Sequence, residues 1–270
     1  MTLTEARTGG AAPAAPVHPV RPVQDALTIA WRNLLTIRRT PQLLVFATIQ
    51  PIIFVLMFRY VFGGAIHVPG VPYIDFLMPG IFVQTVVFGA LTTGVGLAED
   101  LQKGLVERFR SLPMARSAVL VGRTLADLVR NVFVVLLMCI VGFLVGWRIQ
   151  TNVFGFLGAV GLVIAFAYSL SWVFAIVGLS APDAETAQAA SFPILAPLVF
   201  ASSAFVPVDT MPGWLQAFAN HQPVTAVVNA ARALTLGGPT STKVIQAVLW
   251  IVAIIATCAP LAVARYRRVA

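Results

Sequence analysis

Residues 153–180 read VFGFLGAVGLVIAFAYSLSWVFAIVGLS, a run without a single charged side chain. About 20 consecutive apolar residues cross the hydrocarbon core of a bilayer as a helix, and a longer run does so with tilt. The stretch is too long for a buried strand, so it reads as a transmembrane helix. On either side the chain repeats the theme. Leu43–Phe62, Ile74–Ala98 and Leu128–Trp147 precede it, and an uncharged stretch at 186–206, broken by Pro193 and Pro197, and then Val244–Ala264 follow. That makes six expected spans in an all-α integral membrane fold. Across all 270 residues, 59% are hydrophobic and only 10% are charged, against about 25% charged in a soluble domain. There is too little polar surface for a soluble enzyme, a disordered chain or a coiled coil.

The first 22 residues, rich in Ala and Pro, have no apolar core of the kind a signal peptide needs and read as a disordered cytoplasmic tail. Residues 23–270 form the single membrane domain. Between tail and first span, Leu27, Trp31, Leu34 and Leu35 recur at helical spacing, with Arg32, Arg38 and Arg39 beside them. An amphipathic helix on the membrane surface and a plain helical lead-in both fit. Residues 206–243 are mildly apolar but broken by Pro207, Pro212, Gly213, Pro223 and Gly237-Gly238-Pro239. Short helices that dip into the outer leaflet suit them better than another full span.

The net charge is +8. With an N-terminus inside, fourteen of the eighteen Lys and Arg fall on the cytoplasmic side, which sets both termini there. The same bias makes anionic lipid, and not nucleic acid, the partner of the basic residues. Cys139 and Cys258 lie in separate apolar runs and make no disulfide framework. His18, His67 and His221 are scattered, so no metal site and no catalytic constellation is expected. Neither lysine stands in a Walker A loop, so the chain itself has no phosphate cradle for ATP. Carboxylates are missing from the middle of the spans, which argues against a stand-alone secondary transporter or channel, the alternative reading. Asp127 can pair with Arg130 one turn on, and Arg59 with Asp75 across the first outer loop. A path through the membrane would use the few mid-span polar and aromatic residues Gln50, Gln84, Ser169 and Trp172; hydrogen bonding between helices, or simple packing of Trp172, explains each of them as well.

The other informative stretch is residues 99–123, EDLQKGLVERFRSLPMARSAVLVGR, between the second and third spans. Leu101, Leu105 and Phe109 share one helical face, Lys103, Gly104, Glu107, Arg108 and Arg110 complete the turns, and Pro113 ends them. Such a helix either spaces two spans or docks a separate motor subunit.

These motifs resemble the permease subunits of type-2 ABC exporters, and among them the daunorubicin-resistance-type multidrug permeases of actinobacteria. QPIIFVLMFRYVFGG at 50–64, MPGIFVQT at 78–85, the 99–123 segment and PVDTMPGWLQ…NHQPVT at 207–225 carry the likeness, which covers nearly everything after the tail. The resemblance implies a bacterial cytoplasmic-membrane exporter for amphipathic drugs or lipids. Its ATP and Mg²⁺ would sit on a separate ATP-binding subunit present in two copies, beside a second permease, identical or similar. It also implies that 101–110 is the coupling helix, with Glu107 and Arg108 against the ATPase and Phe109 in its groove. Trp31, Arg32, Arg38 and Arg39 would belong to the interface helix, and the segments after the fifth span would be re-entrant.

Overall fold

The structure is a computed structural model that describes residues 27–33, 35, 41–66, 68–104 and 116–269. The tail, Arg38, Arg39, Leu105, Glu107, Arg108, Phe109 and Arg110 lie outside the described residues.

Every regular element among the described residues is helical. Residues 27–33 are helical, followed by α1 (Pro41–Leu56), which continues into one π-helical turn at Met57–Val61, and then α2 (Tyr73–Gln102). Next come α3 (Arg116–Val145), α4 (Val153–Gly178) and α5 (Ala184–Phe200). A 3-10 turn at Val208–Thr210 leads to α6 (Gly213–Asn220), α7 (Pro223–Leu236) and α8 (Thr240–Val269). Four of these, α2, α3, α4 and α8, are long and apolar enough to cross a membrane by length and composition. α1 and α5 are shorter, and both continue through internal prolines, Pro51 in the first and Pro193 and Pro197 in the second.

Local chemistry sets the boundaries. Asn152 caps α4 by accepting a hydrogen bond from the Gly155 N–H (2.8 Å), and Asp183 caps α5 by accepting from Thr186 N–H (2.7 Å). Gly146, at φ +103°, ends α3, and the Trp147 N–H folds back onto the Gly142 carbonyl. Gly146 thus serves the helix terminus, while Gly142 leaves room for the Met78 methyl of α2.

α2 is the axis of the bundle. It packs against α1, α3, α4, α5 and α7, and α4 in turn holds α7 and α8. The α2–α4 crossing is closest at Gly94 and Gly178, where the backbones leave no room for a Cβ. The main core joins Leu77, Met78, Ile81, Trp147, Phe166 and Phe174; a second cluster closes the far end of α2 with Ile29, Leu97, Leu120, Trp172 and Tyr266. Around them the outer surface is apolar: Leu144 is 82% and Phe154 83% exposed, as suits a chain bathed in lipid.

Three boundaries differ from the sequence reading. α3 starts at Arg116, well before Leu128, and α2 runs to Gln102, so much of the charged 99–123 stretch is helix. Paired charges allow it: Arg123 bonds Asp100 and Arg130 bonds Asp127, so ionic residues that look like loop are satisfied within the bundle. α5 ends at Phe200, where its last carbonyls meet the Ser202–Ala204 turn.

Candidate functional site

Charged and polar side chains collect in two layers, one at each end of α2. At its start, Asp75 (4% exposed) accepts hydrogen bonds from the Arg148 N–H (2.9 Å) and from Gln150 Nε2 (3.4 Å). Arg59 forms no ion pair with it, because the turn after Gly146 delivers the 147–150 segment to Asp75 first. Beside this, Arg232 of α7 donates Nε to the Phe76 carbonyl (2.8 Å) and an Nη to the Ala204 carbonyl (3.0 Å), with its guanidinium 3.4 Å from the Phe76 ring centre. Tyr73 donates its hydroxyl to the Phe205 carbonyl (3.0 Å). Arginine suits this place because its planar fork serves two carbonyls and a ring at once. Together these contacts tie α7 and the 201–206 turn to the start of α2.

Toward the other end of α2, Thr93 donates its hydroxyl to Asp127 Oδ2 (2.5 Å), and Arg130 reaches Asp127 Oδ1 (3.1 Å) and the Gly89 carbonyl (2.8 Å). One step further, Arg123 bonds Asp100. Lys103 and Glu99 make an exposed pair at 3.2 Å, of the kind that contributes little. Thus the residues bracketing 105–115 are anchored through charge as well as packing.

A chain with this fold, an ionic cluster joining the end of α2 to the start of α3 and a lipid-facing apolar girdle, matches the ABC-2 type transporter family over residues 24–236. It belongs to that family. The daunorubicin resistance ABC transporter permease protein DrrB1 of Streptomyces coeruleorubidus is 38% identical over 215 residues, covering 80% of this chain and 76% of that protein. A probable doxorubicin resistance ABC transporter permease protein, DrrC of Mycobacterium tuberculosis, is 27% identical over 82% of this chain and 80% of its own length. The putative transport permease ycf38 of Cyanophora paradoxa, at 25% identity, covers 78% of this chain and 74% of its own.

Within this ABC-2 family chain, the described part of the expected coupling segment comprises Leu101, half-buried against the second core cluster, with Lys103 and Gly104 in the turn that leaves α2. Gly104 has φ +65°, a conformation glycine adopts without strain. Of the interface helix, Trp31 is 64% exposed and Arg32 is exposed, while Ile29 and Ala30 are buried, so this helix has one face on the bundle and one outward. The four candidate path residues are not brought together on one surface. Gln50 is exposed on α1, whereas Gln84, Ser169 and Trp172 are buried. Ser169 satisfies its hydroxyl on the Phe166 carbonyl of its own helix. Gln84 Oε1 and Trp172 Nε1 have no hydrogen-bond partner.

Sequence reasoning missed Arg232, Thr93, Asp100 and Arg123. A signal existed for Arg123, which shares one face of α3 with Asp127 and Arg130 at the spacing of helical neighbours. Arg232 gave none, since its partners are carbonyls distant in sequence.

Proposed function

We propose that this chain is the membrane-spanning permease of an ATP-driven exporter that carries amphipathic, drug-like or lipid-like molecules outward across a bacterial cytoplasmic membrane. The observation that carries the reading is the 38% identity, across most of both chains, with a daunorubicin resistance permease. Shared family over residues 24–236 and an apolar helical bundle support it.

In this reading α1 to α5 and α8 make six crossings, α6 and α7 dip into the outer leaflet, and both termini are cytoplasmic. Lys and Arg counts support that orientation. The chain is a transport subunit and not itself an enzyme. ATP and Mg²⁺ act on a separate ATP-binding subunit, in two copies, and a second permease, identical or similar, completes the assembly. Residues 101–110 press on that subunit through Glu107, Arg108 and Phe109, and Trp31 with Arg32, Arg38 and Arg39 lies along the lipid surface. Cargo meets Gln50, Gln84, Ser169 and Trp172. The unpartnered Gln84 Oε1 and Trp172 Nε1 support a role for those two, because a buried polar atom without a partner costs about 1–3 kcal/mol unless something engages it.

The test is daunorubicin uptake into inside-out membrane vesicles holding the chain with its ATP-binding partner. Uptake that requires ATP and both proteins is the expected result. Uptake driven by an ion gradient without ATP would replace this reading with a secondary transporter.

A further inference from the structure

The contact between α2 and α3 is unusual for a membrane helix pair in where it puts its polar groups. Along α2, Gly89, Thr93 and Gly96 fall at i, i+4 and i+7, on one face. Along α3, Arg123, Asp127, Arg130 and Asn131 share a face in the same way. The two faces meet in one continuous antiparallel register. A Cβ on Gly96 would collide with the Arg123 guanidinium, and one on Gly89 would collide with Asn131 Oδ1. Between them Thr93 bonds Asp127, Arg130 bonds both Asp127 and the Gly89 carbonyl, and Asp100 closes the ladder on Arg123. Each large polar side chain of α3 thus sits over a small residue of α2. Nearest the 105–115 segment, the Asp100 and Arg123 side chains are each 19% exposed; deeper in, those of Asp127 and Arg130 are 8% and 13% exposed.

Such a seam resists both sliding and separation. Moving α3 along α2 would drive guanidinium and amide groups into backbone, and parting the helices would take the Thr93 hydroxyl from Asp127 and the Gly89 carbonyl from Arg130, leaving that buried ion pair short of hydrogen bonds. The segment between the two helices is the one assigned above to the ATP-binding partner. We infer that the Gly89–Thr93–Gly96–Asp100 and Arg123–Asp127–Arg130–Asn131 seam is the stiffener that makes α2 and α3 one arm, so that a push on residues 105–115 moves both helices together. This rests on the coupling assignment. Asp100, Arg123, Asp127 and Arg130 are positioning residues: they touch neither cargo nor nucleotide, and they set how much movement each ATP delivers.

The experiment uses the full chain purified with its ATP-binding subunit and reconstituted in liposomes. It measures daunorubicin moved per ATP hydrolysed, normalised to assembled complex. Asp127→Asn, Asp100→Arg and Arg123→Asp should retain the ATP-binding subunit and hydrolyse ATP, yet move about tenfold less daunorubicin per ATP. The Asp100→Arg/Arg123→Asp double variant, which reverses the pair at its most exposed rung, should recover most of the lost ratio. A role in folding alone would lower the amount of assembled complex and leave the ratio unchanged. Single variants that assemble and keep the wild-type ratio overturn the inference while the transport reading stands. If Asp127→Asn does not assemble, the reversed pair decides: a double variant no better coupled than its singles overturns it. Wild-type complex with no ATP-dependent flux overturns both.

Discussion

At the scale of single residues, Arg232 does the most unexpected work. Buried on α7, it is held by two carbonyls and an aromatic face instead of a carboxylate, and so fixes α7 and the 201–206 turn against α2. Arg232→Met keeps the apolar stem and removes two charge-assisted hydrogen bonds, worth about 1.5–3 kcal/mol each before relaxation. The protein in detergent should lose several degrees of thermal stability, read by its unfolding midpoint; an unchanged midpoint would show those bonds to be idle. The glycines divide in the same way. Gly178→Val should prevent accumulation of folded chain, since any Cβ there meets the Gly94 carbonyl, whereas Gly161→Ala, in open space, should fold as well as wild type or slightly better. Yield of monodisperse protein measures both. None of this was legible beforehand: a glycine at a helix crossing and one facing outward look the same in a string of letters. The expected Arg59–Asp75 pair missed for a related reason, since Asp75's partners come from a turn whose path depends on Gly146.

At the scale of elements, the long uncharged runs were readable because length and composition alone decide them, and α4 lies within two residues of its expected span. Ends were harder. The start of α3 hid among charges because pairing with α2, and not local composition, makes Arg123 and Asp127 compatible with helix. The start of α5 was marked only by Asp183. There the Thr186 N–H holds the Asp183 carboxyl below the usual aspartate range. A carboxyl lowered on folding stabilises the cap above the unfolded titration range, and that contribution is lost as pH falls through the lowered value. Amide exchange at Thr186, followed in detergent at falling pH, should quicken through that window; in Asp183→Ala it should be fast at every pH. Exchange that is flat with pH in wild type would remove the cap from the account.

For the whole molecule, family and class were legible because the motifs at 50–64, 78–85 and 207–225 survive as short strings, and the match over residues 24–236 bears that out. Cargo was not, since three of the four candidate path residues are buried apart from the fourth and serve helix packing equally well. The segment at 105–115 carries the central claim, that a separate ATP-binding subunit drives this chain. Glu107→Ala and Phe109→Ala should abolish daunorubicin export while leaving membrane insertion intact, as drug retention in cells and membrane fractionation would record. Most direct is purification of the tagged chain from its native membrane in mild detergent, wild type beside Phe109→Ala, with the bound proteins identified by mass spectrometry. The account predicts an ATP-binding subunit with a Walker A motif alongside the wild type and its loss from the variant. Wild-type chain recovered without any such subunit, in a detergent that keeps other transporter complexes whole, would contradict it.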